Sequence, residues 1–318
     1  MAAVDSENQN QALLDNDASG IVLEQNNNGE SGTMDEQNPT CFGWCPALLR
    51  TVTITTLVLI LLLASRQSNK NGFSKKTGTV LVTGATGRTG SLLYKELQKR
   101  GETVRAFVRD AEKAKEVLGC KSCDESEGIY VGDVTDIESL QHAMADGTVS
   151  TLAVAIGADP KSSPEIQKAI EFDSVVSSVR SLGMAATKGE TSLRVVFCSS
   201  MGTETPVPKF GGTILHWKLN AEAFLASSGI QSTIVKPCGL PSDMAGKNST
   251  LVVGHHGAIT EGSDYHTISR EDLASVMAEA VQYKKHCGNL RFDLCSKPGP
   301  PTTDLEGLIE RAKWEWDK

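Results

Sequence analysis

From residue 78 onward, short apolar runs alternate with longer amphipathic stretches. Val80-Leu81-Val82 is a β-branched and bulky run of the kind a strand buried on both faces requires. Ser91 to Arg100 follows with Leu92, Leu93 and Leu97 at helical spacing, and Gly101 closes that helix. Val104–Val108, Ile129–Val131, Thr151–Ile156, Arg194–Cys198 and Thr233–Val235 read as further strands. Helical stretches fall between them, near 110–117, 136–145, 164–183 and 215–228. This rhythm predicts an α/β fold, a doubly wound parallel sheet with helices on both faces. No internal repeat of 20–50 residues interrupts it.

The first 77 residues follow a different pattern. Residues 1–44 are rich in Asn, Gln, Ser, Gly and acids, and too polar to offset the entropy of ordering the chain. They are expected to be a disordered acidic tail. Val52 to Ala64 is the most apolar run of the chain. Extended back through Ala47, Leu48 and Leu49 it is long enough to cross a bilayer, so residues 45–65 are expected to form a single transmembrane helix. A cleaved signal peptide fits less well, because the run starts far from Met1 behind an acidic segment. Residues 66–77 form a basic linker with Arg66, Lys70, Lys75 and Lys76. Under the positive-inside rule, these cations place the domain at 78–318 in the cytosol. Cys41 and Cys45 beside the span are either palmitoylation sites or incidental.

Charge and cysteine content narrow the function. The formal charge is -8, and most of it lies in the tail. A nearly neutral domain gives no electrostatic case for nucleic acid. The eight cysteines form no small-domain disulfide framework and are expected to be reduced thiols. Cys120-Lys121-Ser122-Cys123 lacks the second pair a zinc site would want, and the acids at 124, 125 and 127 disfavour thiolate. His255-His256 would need outside partners to hold a metal, so no metal site is expected. Asn248-Ser249-Thr250 is an N-glycosylation sequon, silent in a cytosolic domain. Trp314 and Trp316 are expected to pack or to lie at an interface.

The chemistry concentrates at Thr83-Gly84-Ala85-Thr86-Gly87-Arg88-Thr89-Gly90, between the first strand and first helix. Glycines at this spacing allow a tight turn, a close approach by a diphosphate and close packing of the helix. The diphosphate would rest on free amides at the helix N-terminus. The second strand ends Val108-Arg109-Asp110, where such a fold reads the adenosine ribose. Arg109 suits a 2′-phosphate and favours NADP, with NAD as the alternative if Asp110 serves a free 2′-hydroxyl. Asp133, in Gly132-Asp133-Val134-Thr135-Asp136, either accepts from the adenine amino group or caps the next helix.

Residues 78–318 resemble the short-chain dehydrogenase/reductase superfamily, in its atypical, NmrA-like form. The resemblance rests on the glycine turn, Val108-Arg109-Asp110, Gly132–Asp136, Ser199-Ser200-Met201-Gly202, Ala221-Glu222, Ile234-Val235-Lys236-Pro237, Ile268–Asp272 and Phe292-Asp293-Leu294, in family order. It implies a Rossmann-like domain with a small C-terminal substrate lobe. It implies that Gly84, Thr86, Gly87, Arg88, Thr89, Gly90, Arg109, Asp133, Val134 and Ala155 line the cofactor, with Pro237 near the nicotinamide. The family's Ser role would fall to Ser199 or Ser200. His216 and Asn220 stand at the Tyr and Lys places, a departure from the family pattern. His216 is either a substitute acid or a helix-start residue packed on Trp217. Lys218 points to another face and does not simply replace the missing Lys. The resemblance implies a membrane-anchored NADP-dependent oxidoreductase acting on a small carbonyl or quinone-like compound. The alternative is a non-catalytic NADP(H)-binding sensor or membrane scaffold. Because resembling proteins include plastid ones, a plastid destination stays open.

Overall fold

The computed structural model describes residues 78–186, 193–204, 213–262, 266–283 and 288–314. The expected tail at 1–44, transmembrane helix at 45–65 and linker at 66–77 lie outside the described residues. Among the described residues, no helix is long and apolar enough to cross a membrane.

Eight strands form one sheet: β1 (Thr79–Thr83), β2 (Val104–Val108), β3 (Ile129–Val131), β4 (Val149–Val154), β5 (Arg194–Cys198), β6 (Gln231–Pro237), β7 (Thr250–Gly254) and β8 (Leu290–Lys297). Their order is β3-β2-β1-β4-β5-β6-β8-β7. All pairs are parallel except β7 with β8. The order reverses at β1, whose neighbours are β2 and β4, and a crevice opens at the carboxyl ends of strands at such a switch point.

Successive residues of β1 serve opposite faces, which is why the run is apolar throughout. Val80 and Val82 pack on one face with Leu93 and Leu97 of α1 (Gly90–Lys99) and with Leu273 and Met277 of α7 (Arg270–Gln282). Leu81 turns to the other face, with Leu140 of α3 (Ile137–Met144), Leu182 of α5 (Ser174–Ala185) and Leu225 of α6 (Ile214–Ser227). The remaining helices are α2 (Ala111–Leu118), α4 (Pro164–Lys168) and α8 (Leu305–Arg311).

Three features depart from the expected pattern. The stretch at 164–183 is not one uninterrupted α-helix: a π-helical turn, Ala169–Asp173, separates α4 from α5. The C-terminal part does not fold as a separate lobe. β7 and β8 extend the main sheet, and the described residues fall in one compact unit. Finally, four of the cysteines expected to be thiols are paired, Cys120 with Cys123 and Cys238 with Cys295. Cys238 follows β6 directly. Its amide donates to Leu294 O, which places it beside Cys295 on the neighbouring strand.

Candidate cofactor site

The glycine turn closes tightly on itself. Gly84 has φ +75°, and a Cβ there would meet Ala155 O at 2.6 Å. A Cβ on Gly90 would meet Gly84 O at 2.1 Å. Side chains at either place would push β4 or α1 away from β1. The Gly87 amide donates to Gly84 O (2.8 Å) and the Ser91 amide to Gly87 O (3.0 Å). At the start of α1, the Thr89 side chain makes no capping bond. The N-terminus of this ten-residue helix therefore keeps its positive end for an anion, as a bound diphosphate requires.

A cavity of about 490 Å³ opens at the switch point. Gly84, Thr86 and Gly87 line it from the turn, Arg109 from the end of β2, Asp133 and Val134 from beyond β3, and Ala155 from beyond β4. Seven of the expected cofactor residues thus meet in one space. Four do not line it. Thr89 and Gly90 form the start of α1, and Pro237 ends β6 as a buried residue. Arg88 is exposed and reaches away to Ser242 Oγ (3.3 Å), so it does not join Arg109.

The two acids left open by the sequence resolve differently. Asp110 caps α2, accepting from the amides of Glu112 (2.9 Å) and Lys113 (3.1 Å). Asp136, not Asp133, caps α3 through the Glu138 amide (3.1 Å). Asp133 Oδ1 accepts from the Thr135 amide (2.8 Å) and hydroxyl (2.7 Å). These bonds, with the Arg109 cation adding to them, hold the Asp133 carboxyl below its usual range. It is an ionised acceptor at neutral pH.

Lys113 also lines the cavity, and the sequence reading had missed it. It lies four residues after Arg109, in the first turn of α2, and helical spacing after a capping Asp110 could have found it. Ile166, Ala169 and Ile170 form the opposite wall, from α4 and the π-helical turn. No proline or glycine at 169–173 announces that turn.

A second polar centre lies behind this wall. Glu171 is buried inside the π-helical turn. Its Oε1 accepts from the Ala158 amide (2.7 Å), and its Oε2 lies 2.9 Å from Lys218 Nζ. Lys218 Nζ also donates to Cys198 O at the end of β5 (3.2 Å). Burial is the largest influence and works against the Lys218 charge, but Glu171, Cys198 and Glu222 together outweigh it and raise the lysine's pKa. The pair therefore ties Ala158, the residue after Gly157 on the cavity floor, to β5 and α6.

None of the expected catalytic side chains lines the cavity. Ser199 is buried and its hydroxyl donates to Glu222, which also accepts from Thr203 (3.0 Å) and pairs with Arg291 (2.7 Å). The Ser200 hydroxyl donates to Met201 O (2.9 Å). His216 is exposed, stands edge-on to the Trp217 ring (4.7 Å between centroids) and lies 3.2 Å from Asn220 Nδ2. That matches the packed helix-start reading. Arg291 continues the network to Glu204, and Glu204 contacts the buried Lys236. The adjacent histidines both face the Trp314 ring, His255 stacked on it at 3.6 Å.

The family model described as NAD(P)H-binding matches residues 84–284. An uncharacterized, chloroplastic protein of Arabidopsis thaliana is 32% identical over 255 residues, covering 74% of this chain and 75% of that protein. Sanguinarine reductase of Eschscholzia californica is 28% identical over 277 residues, covering 75% of this chain and 97% of the reductase. The structure of the oxidoreductase ylbE from Lactococcus lactis has the same fold, with a TM-score of 0.56 at 17% identity over 74% of this chain and 99% of that one. With a glycine turn, an uncapped helix start and a cavity at the switch point, the chain belongs to the NAD(P)H-binding family of atypical short-chain dehydrogenase/reductase type.

Proposed function

We propose that this protein is an NADP(H)-dependent oxidoreductase acting on a small carbonyl or quinone-like compound. One observation carries the cofactor preference. Two cations, Arg109 and Lys113, line the ribose end of the cavity, while Asp110, the acid that could serve a free 2′-hydroxyl, caps α2 through its Oδ1 and is not among the residues that line it. The residues fit the dinucleotide as follows. The α1 amides take the diphosphate, Arg109 and Lys113 take the 2′-phosphate, and the free Oδ2 of Asp133 takes the adenine amino group. The bound cofactor supplies the hydride. Ile166, Ala169 and Ile170 offer an apolar wall, and Glu171 fixes Ala158, next to the cavity-lining Gly157, through its amide. That one relative's name is that of a reductase favours the same reaction class.

The non-catalytic reading, a cofactor-responsive sensor or scaffold, is favoured by a different observation. Ser199 is held by Glu222 and His216 faces solvent, so none of the expected proton donors stands at the cavity. NADPH oxidation by the full chain against a carbonyl and quinone panel separates the two. Turnover that is lost in Ser200→Ala or His216→Ala supports the enzyme. Tight NADPH binding without turnover supports the sensor.

Attachment to a membrane through residues 45–65 belongs to the same proposal. Retention in the pellet after alkaline carbonate treatment supports it, and release into the supernatant ends it. A plastid membrane is favoured by the name of the Arabidopsis relative, and organelle fractionation tests it.

A further inference from the structure

Two sets of observations that play no part in the cofactor site point to the same conclusion. The first is the pairing of cysteines. Cys238 and Cys295 are bonded in the interior, 8% and 0% exposed, at the junction of β6 and β8. Cys120 and Cys123 close a turn after α2, and the Glu127 carboxylate accepts from the amides of Lys121, Ser122 and Cys123 around it. An anion beside the sulfurs disfavours the thiolates and so favours the oxidised pair. Structural disulfides of this kind persist in oxidising compartments and are rare in the cytosol.

The second is the Asn248-Ser249-Thr250 sequon. Asn248 is exposed, in a bend between Lys247, which has φ +64°, and the start of β7. Its side chain has no hydrogen-bond partner among the described residues. The residues after it are held down: Thr250 Oγ1 donates to Pro300 O (2.7 Å), and the Thr302 amide donates to Ser249 O (3.3 Å). The bend thus presents the Asn248 amide at the surface. β7 is the outermost strand on the side away from β1, and none of the described residues between 171 and 314 lines the cavity.

We propose that Asn248 carries an N-linked glycan and that residues 78–318 fold on the oxidising, secretory side of a membrane. The transfer is redox-neutral. The Asn248 amide nitrogen bonds to the anomeric carbon of a polyprenyl-diphosphate-linked oligosaccharide. The carbon–oxygen bond to the diphosphate breaks, and the amide loses one proton as the lipid diphosphate leaves. Each cysteine pair gives up two electrons and two protons to a protein disulfide oxidant of that compartment. This orientation is the reverse of the one expected from the basic residues at 66–77, and a glycan on Asn248 would replace the plastid location with a secretory one. A glycan at this edge leaves the cavity open.

The test expresses the full chain, with its own N-terminal segment, in a eukaryotic host. Lysates are compared before and after digestion with a peptide N-glycosidase. The expected result is a drop in apparent mass for wild type and none for Asn248→Gln, which should already run at the lower mass. Asn248→Gln should bind NADPH as wild type does, which shows that the variant folds. Acid-quenched samples are alkylated in parallel without reductant, and Cys238 and Cys295 are expected to stay unlabelled until a dithiol is added. An unchanged wild-type band overturns the proposal, whether the cysteines are then free, which puts the domain in a reducing compartment, or bonded, which means the sequon is skipped. Neither result bears on whether the cavity binds NADPH or turns it over.

Discussion

The proposed choice between two cofactors rests on one side chain, Arg109. It stands at the cavity end of β2 with Lys113 one helical turn further on. Charge-assisted bonds to a phosphate contribute roughly 1.5–3 kcal/mol each. Arg109→Ala should therefore weaken NADPH binding by about 10- to 100-fold and leave NADH nearly unchanged, as read by fluorescence titration. An equal loss for both would assign Arg109 to something other than the 2′-phosphate. Asp146 makes a different single-residue case. The Arg105 guanidinium bonded to it lowers its pKa to about 2. A folded-state pKa below the unfolded value gives stability that is present above about pH 4 and is lost as pH falls toward 2. The pair is partly exposed, so the effect is under about 1 kcal/mol. Urea midpoints from pH 5 to 2 should fall less steeply in Asp146→Asn than in wild type.

Between α4 and α5, the π-helical turn places Glu171 in the interior opposite Lys218. Lys218→Met would leave that carboxylate buried without its cation, at a cost of about 3–5 kcal/mol in denaturant unfolding. Adding Glu171→Gln should recover part of the loss. If the single variant is as stable as wild type, the pair does not hold α6 to the cavity floor. This turn also shows where the sequence stops being readable. The strands β1 to β6 and the helices beside them follow from local apolar spacing, and the glycine turn from three glycines in register. A π-helical turn depends on how one extra residue is accommodated by tertiary packing, and Ala169–Asp173 looks like ordinary helix in composition. β7 and β8 lie outside the apolar runs read as strands, β8 because Arg291 and Asp293 interrupt its apolar residues. The catalytic candidates were legible as residue types but not as positions. Only the folded chain shows the Ser199 hydroxyl turned to Glu222 and His216 turned to solvent.

Over the whole molecule, one sheet carries both the cavity at its β1–β4 side and the bonded cysteines at its β6–β8 side. Cys238 and Cys295 are 57 residues apart, and closing a loop of that size in the unfolded chain corresponds to roughly 4 kcal/mol. Replacing both with Ser should lower the unfolding free energy by about that much, and a far smaller loss would show that the unfolded chain is little restricted by the link. The cavity draws its walls from the ends of four strands, two helices and the π-helical turn, spanning residues 84 to 170. Anything seated there has to be released before this half of the chain can melt. A ligand at a hundredfold excess over its dissociation constant then adds about 2.7 kcal/mol to the native state. Melting temperature becomes a measure of occupancy, and a set of nucleotides can be ranked on this protein by calorimetry before any substrate for it is known.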